Sequence, residues 1–144
     1  MTTPRDVASL KHVHRIKKAR QRLVLYRLMI DVMQTMHRTY APASERFGKS
    51  LETFFVALCV AIGDIDGKPF STAKIVDYMR VPRTTVIRRL DQLQSWGLIA
   101  RRGRYYYMHE KPLNSVSGMR SYEKVRSIPR GAIEELTVLD ALSD

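Results

Sequence analysis

The stretch from Phe70 to Met108 constrains the fold of this chain more strongly than any other part of its sequence. It contains two short amphipathic patterns separated by a tight turn, followed by two runs of strand-forming residues. The first pattern predicts a helix that begins at Ser71, because a serine hydroxyl at this position can accept a hydrogen bond from a free N–H of the first turn. Apolar residues then recur at steps of three and four, which indicates one buried helix face.

A second short helix is predicted to begin near Pro82. Proline disfavours helical geometry at the residue before it but suits the first position of a new helix. Val86, Leu90 and Leu93 recur at steps of four and three and form the buried stripe of this helix. Gly97 is expected to end it in a left-handed conformation. Two helices joined this closely predict a helix-turn-helix.

Two short strands are predicted after the second helix, over Leu98–Arg101 and Tyr105–His109, because β-forming residues dominate both runs. The turn between them is Arg102 to Arg104, so the hairpin would form a wing. The predicted fold class is therefore mainly α with a small β-hairpin wing. The chain is expected to form a winged helix-turn-helix domain with long N-terminal and C-terminal dimerisation helices. This order of elements favours binding to duplex DNA.

These residues resemble the MarR-type branch of winged-helix transcription regulators. The resemblance runs without a gap from Phe70 to Ile99, about a fifth of the chain. It implies a homodimer whose terminal helices pair and whose second helices enter successive major grooves. Two places differ from the family pattern, since Pro82 replaces a capping Ser and the turn Arg102 to Arg104 is short. The matching positions are Phe70, Ser71, Ile75, Val76, Val81, Thr84, Thr85, Val86, Leu93, Gly97 and Leu98.

The residues expected to contact DNA lie at the start of the first helix, along the second helix and in the hairpin turn. Arginine and threonine can reach guanine edges, thymine methyl groups or phosphates, and the sequence leaves these choices open. A solvated helix face and a turn kept soluble by charge are the alternative interpretations. The predicted DNA-binding residues are Ser71, Thr72, Arg83, Thr84, Thr85, Ile87, Arg88, Arg102 and Arg104.

Positive charge is concentrated in two parts of the chain, whose formal net charge is +11. Residues 1–30 carry eight Lys or Arg against one Asp, and residues 68–111 carry ten against three acidic residues. A concentrated basic surface binds phosphates with release of counterions. RNA or an anionic membrane would also be attracted. The order of the predicted elements favours duplex DNA among these partners.

Long amphipathic segments flank the motif on both sides. An apolar stripe predicts a helix from about Ser9 to Tyr40, roughly 45 Å long, which exceeds what the core of a small domain needs. A central helix is predicted over Leu51–Gly63. Pro112 to Gly118 is predicted to be a linker, followed by one helix over Met119–Ile128 and another after Pro129. The terminal helices are expected to pair two subunits through Leu23, Tyr26, Ile30, Met33, Leu136 and Leu139.

A chain of 144 residues is long enough for one domain with a hydrophobic core. We expect a single domain over 1–144. Residues 1–50 would form a basic N-terminal helix or dimerisation arm, 51–111 the winged helix-turn-helix, and 112–144 the C-terminal helices.

The sequence also bears on the cell compartment. Arg27 and Asp31 interrupt the apolar stretch Leu23 to Met33, so this stretch is not expected to span a membrane. A single cysteine, Cys59, excludes an intramolecular disulfide and favours a reducing environment. We therefore expect a cytoplasmic, nucleoid-associated protein.

Patterns typical of catalysis are missing from the sequence, which has no nucleophile elbow, glycine-rich phosphate loop, HExxH or CxxC. The four histidines lack the spacing of metal ligands. The chain is therefore predicted to be neither an enzyme nor a cofactor or metal binder. The function it favours is sequence-specific regulation of transcription by a homodimer on double-stranded DNA, with or without a small-molecule effector. A replication, partition or architectural DNA-binding factor and a protein-interaction adaptor are the alternatives.

Overall fold

The structure is a computed structural model that describes residues 3–142. Over this range it contains six helices and a two-stranded antiparallel hairpin, so the protein is mainly helical, as the sequence predicts. In chain order the elements are α1 (Pro4–Tyr40), α2 (Phe47–Ile65), α3 (Thr72–Met79), α4 (Arg83–Ser95), β1 (Ile99–Arg102), β2 (Tyr105–Met108), α5 (Glu110–Leu113) and α6 (Val116–Asp140).

The chain forms two compact units. One comprises Gln34–Tyr122 and includes α2, α3, α4, α5 and the hairpin; it is called the central unit below. The other comprises Met1–Met33 with Glu123–Asp144, of which the structure describes 3–33 and 123–142, and it is called the terminal unit. It contains most of α1 and most of α6.

The hydrophobic core of the central unit is built around α2. This helix is apolar on nearly all sides; one side is buried against other elements, while Phe55, Leu58 and Ile62 on the other are exposed. Its residues Val56 and Val60 are completely buried, and α3 contributes the equally buried Ile75. Further core side chains come from α4, from the hairpin and from the segments just before β1 and α3, namely Val86, Leu90, Leu93, Ile99, Tyr106, Leu98 and Phe70.

The turn between α3 and α4 follows from local side-chain chemistry. The Lys74 backbone N–H donates to Ser71 Oγ at 3.2 Å, which confirms Ser71 as the N-cap of α3. Arg80 ends α3 in the left-handed region with a φ of 55°. Pro82 is the N-cap of α4 rather than its first residue, so α4 begins one residue later than expected. Gly97 follows the C-cap of α4 in the left-handed conformation, with a φ of 73°, as predicted.

The hairpin is shorter at its turn than the sequence indicates. Arg102 pairs with Tyr105 as the last residue of β1, and the turn contains only Gly103 and Arg104. A two-residue turn needs positive φ, and Gly103 supplies it with a φ of 63°. The Tyr106 N–H donates to the Phe70 carbonyl at 3.1 Å. The hairpin is thereby joined to the residues that precede α3.

The end of α2 is held close to both the hairpin and the loop before α3. The Met108 N–H donates to Asp64 Oδ2 at 2.9 Å. Gly63 is buried, and a Cβ added there would lie 2.5 Å from the Phe70 ring and 2.8 Å from the Lys68 carbonyl oxygen. The close approach of this loop to α2 therefore requires glycine at position 63.

Cys59 lies on α2 within the core of the central unit and is 3 % exposed. Burial raises the pKa of its thiol above the ordinary value, because the thiolate loses hydration. Its sulfur is therefore a neutral packing group at neutral pH.

The expectation of a linker at 112–118 and of two helices separated at Pro129 is wrong. Residues Glu110–Leu113 form the short helix α5, and α6 continues through Pro129 to Asp140. Ser115 Oγ accepts a hydrogen bond from the Gly118 N–H at 3.0 Å. It thus provides a partner for one of the free backbone N–H groups in the first turn of α6. An interior proline removes one donor, while the long helical segments on either side keep their own hydrogen bonds.

In the terminal unit, α1 and α6 run antiparallel. Lys17 Nζ donates to the Leu142 carbonyl at 2.9 Å, and Gln21 Nε2 donates to Asp140 Oδ1 at 2.7 Å. Higher residue numbers on α1 thus meet lower numbers on α6. Val24 and Ala132 are the buried apolar residues of this unit within the described ranges. Two helices that bury so little leave most of their apolar side chains in contact with solvent.

Candidate nucleic-acid interface

Helix α4 has one buried face and one exposed face. Val86, Leu90 and Leu93 are completely buried in the core. These three residues lie on one face of the helix, because positions three and four apart share a helix face. Most of the side chains predicted to contact DNA on this helix are exposed, namely Arg83, Thr84, Ile87 and Arg88, while Thr85 is half-buried.

Two adjacent arginines of α4 have different surroundings. Arg88 is exposed, whereas the Arg89 side chain is only 14 % exposed and its Nε donates to Glu52 Oε1 at 2.6 Å. Arg89 Nη1 also donates to Gln92 Oε1 at 3.3 Å, and the Thr53 hydroxyl donates to the same oxygen at 2.9 Å. These contacts connect α4 to α2 and fix the direction in which the exposed face points.

The start of α3 offers fewer free groups than expected. Ser71 and Thr72 are both half-buried, and Ser71 Oγ is engaged as the helix cap. Lys74, one turn further along, is exposed, and its ammonium group lies 4.4 Å from the centre of the Phe70 ring. Lys74 is a cationic group that the sequence-based prediction did not include. Its position three residues after a recognised cap is the signal that could have identified it.

The hairpin presents three exposed guanidinium groups near its turn. Arg102 lies 5.1 Å from the centre of the Tyr107 ring, and Arg104 is exposed in the turn itself. Arg101, which was not predicted to take part, donates from Nε to the Gly103 carbonyl at 2.7 Å. Stacking on a ring and bonding to the turn restrict the motion of two of these side chains. Their charges are therefore held at the end of the hairpin.

The three consecutive tyrosines of β2 divide between core and solvent. Tyr106 is buried, Tyr107 is half-buried and Tyr105 is 40 % exposed. The alternation is that of a strand with one face on the core. Tyr106 is thus a packing residue, and the Tyr107 ring lies under Arg102.

The residues predicted to pair subunits lie on the terminal helices. Leu23, Tyr26 and Ile30 are exposed on α1, and the half-buried ones are Met33 on α1 with Leu136 and Leu139 on α6. Leu23, Tyr26 and Ile30 thus place apolar side chains on the surface of the terminal unit.

Within 3–142, His, Cys, Asp and Glu side chains do not gather in any group of three or more that could hold a metal ion. Over the same range, every helix is too short or too polar to cross a membrane. Comparisons of the chain with protein-family models, curated proteins and solved structures find no match.

Proposed function

We propose that this protein is a homodimeric winged-helix regulator of transcription that binds specific sequences of double-stranded DNA. The observation that best supports the proposal is the division of α4, whose apolar stripe is buried while Arg83, Thr84 and Arg88 are exposed. A helix with its side chains is roughly 10–12 Å across, and the major groove is about 12 Å wide. The exposed face of α4 would therefore reach base edges.

In this proposal the hairpin is the wing. Arg101, Arg102 and Arg104 are exposed near its turn, and a turn of two residues is too small to read several bases. Cationic side chains in such a place contact phosphates, which position the protein without specifying sequence. Helix α4 would then read the bases, and the hairpin would position the protein on the DNA backbone.

The exposed apolar residues of α1 support dimerisation. Ile16, Leu23 and Ile30 are seven residues apart and between 43 % and 54 % exposed. Ala19 and Tyr26 occupy the intermediate positions, which gives the alternating steps of three and four typical of a coiled-coil seam. A seam of this length in contact with water favours burial against a second chain.

The second chain should contribute α6 rather than α1 to this seam. Arg15, Arg20, Arg22 and Arg27 flank the seam on both sides, and like charges at these positions repel a second α1. The last ten residues of α6 carry Glu134, Glu135 and Asp140 and no Lys or Arg, and Ile133 among them is 62 % exposed. This end of α6 therefore offers an apolar surface with negative charge.

A footprint on genomic duplex tests the proposal. We expect discrete protected sites near promoters, each with two half-sites about one helical turn apart, because a twofold dimer presents two copies of α4. A regulator of this kind acts in the cytoplasm on the nucleoid.

Other footprints contradict the proposal. Protected sites restricted to replication origins would indicate a replication factor, and equal binding to all sequences an architectural protein. Failure to bind any duplex at low salt would refute DNA binding and favour a protein-interaction adaptor.

A further inference from the structure

A basic stripe runs along the N-terminal half of α1. It comprises Lys11, Arg15, Lys18 and Arg22, which follow one another at steps of four, three and four. Residues at these steps share one face of a helix. All four side chains are exposed. The stripe therefore forms a continuous row of positive charge on the surface of the terminal unit.

Acidic residues do not balance this row. The sequence contains no Asp or Glu between residues 7 and 30. Within the described part of the chain, none of the four stripe residues has an ion-pair partner. Like charges at steps of three and four repel each other and weaken the helix. A solvated helix face normally alternates the signs of its charges, so this row is more consistent with a surface that meets an anion.

The stripe lies on a different side of α1 from the side that contacts the end of α6. On that other side Gln21 bonds to Asp140, the last residue of α6, and Lys17 bonds to Leu142 just after it. That side of α1 is thus partly covered by α6 and is not free to lie in a lipid bilayer, as an interfacial amphipathic helix requires. This part of α1 also lacks the aromatic residues that anchor such helices, since its first one is Tyr26. These features favour a nucleic-acid backbone over a membrane surface.

We propose that the basic stripe is a second binding site for the phosphate backbone of duplex DNA, in addition to α4 and the hairpin. The inference rests on the proposed function. The stripe spans 12 residues, or 11 helical steps and about 16 Å, which corresponds to roughly five base pairs at 3.4 Å each. Four cations of this kind contact phosphates and do not read bases. The stripe therefore adds affinity without changing sequence preference.

The test compares two variants of the full chain with the same change in charge. In the stripe variant, K11Q, R15Q, K18Q and R22Q are combined; glutamine keeps the helix propensity of the site. In the control, R120Q, K124Q, R126Q and R130Q remove four exposed cations of α6 that do not share one face. Circular dichroism and sedimentation verify that both variants keep the helix content and assembly of the wild type. Arg15 and Arg22 also flank the proposed dimer seam. Should the stripe variant misfold or lose its assembly, K11Q/K18Q, which leaves both of these arginines in place, is measured instead and is expected to give half the effect.

Affinity for a footprinted duplex and for a random duplex is measured over a range of salt concentrations. For the stripe variant, the slope of log K against log salt should become less steep by about 0.9 for each phosphate that the protein no longer neutralises, or up to about 3.6 in all. The ratio of specific to random affinity should stay unchanged. A hydroxyl-radical footprint should lose protection over roughly five base pairs. The α6 control should retain the wild-type slope.

Different results overturn different parts of the argument. A stripe variant that matches the wild type, or a control whose slope falls by the same amount, shows that the stripe is not a DNA contact while the proposed function stands. A wild-type protein that binds no duplex refutes the proposed function, and the stripe inference with it. Vesicles containing phosphatidylserine test the membrane, and vesicle binding that disappears only in the stripe variant, with an unchanged duplex slope, would assign the stripe to lipid instead.

Discussion

Replacing Arg88 with glutamine and replacing Arg89 with glutamine should affect two different properties of the protein. Arg89 is 14 % exposed and bonds to Glu52 at 2.6 Å and to Gln92 at 3.3 Å. A hydrogen bond to a charged group contributes about 1.5–3 kcal/mol, whereas an exposed ion pair contributes about 0–1 kcal/mol. Because Glu52 is 37 % exposed and keeps part of its hydration, we expect Arg89→Gln to cost about 1–3 kcal/mol of folding stability.

Arg88→Gln should leave the stability of the protein nearly unchanged. Arg88 is exposed, and surface substitutions usually change the free energy of unfolding by less than about 0.5 kcal/mol. If Arg88 reads a base, its replacement should weaken specific binding by about 1–3 kcal/mol, or roughly 5- to 150-fold. The neighbouring positions thus separate stability from recognition.

Thermal unfolding and competition shift assays measure the two effects. For a protein of this size, 1 kcal/mol corresponds to about 2–4 °C in Tm, so Arg89→Gln should lower Tm by roughly 2–12 °C. Glu52→Gln should give a similar decrease, and the double variant should show coupling between the two sites. Equal decreases of Tm in the Arg88 and Arg89 variants would refute the conclusion that Arg89 contributes to folding stability and Arg88 does not. Unchanged DNA binding in Arg88→Gln would remove this residue from the interface.

Three other changes test the dimer, the hairpin and the core. Ile30→Glu should bury an unpaired charge at the proposed seam and give a monomer in sedimentation; a folded dimer would contradict the seam. Arg102→Ala combined with Arg104→Ala should reduce the salt slope by about two and lower affinity for cognate and random duplex alike. An unchanged slope would exclude phosphate contacts there. Gly63→Ala should cost about 1–3 kcal/mol in denaturant unfolding, because its Cβ would collide with the adjoining loop. The control Gly48→Ala, which has open space around it in α2, should instead stabilise by about 0.5–1 kcal/mol; destabilisation by both would contradict the steric explanation.

Local signals made the region from α3 to β2 predictable. The capping of α3 by Ser71 and the left-handed conformation of Gly97 after α4 could be predicted, because both effects depend only on the nearest few residues. Pro129 led to a wrong prediction for the opposite reason. Whether a proline ends a helix depends on how well the residues on both sides are held, which a local pattern does not reveal.

The candidate site was less predictable than the fold because its side chains depend on distant partners. Arg88 and Arg89 are indistinguishable as residue types, and only the packing of α4 on α2 decides which one meets Glu52, 37 positions earlier in the chain. Ser71 shows the same limit. It was predicted both as a cap and as a DNA contact, and its oxygen is used by the cap. DNA binding and dimerisation themselves stay predictions.

The burial of Cys59 gives the protein a built-in reporter of local opening. A thiol reagent can react with this side chain only when the core of the central unit opens, and the chain contains no other cysteine. The labelling rate therefore measures the opening of the central unit and not the opening of the helices in the terminal unit. Any ligand that binds the closed central unit should slow labelling in proportion to its occupancy. Slower labelling of Cys59 in the presence of duplex would then show that the duplex binds and stabilises the central unit. The measurement uses the wild-type protein and needs no substitution.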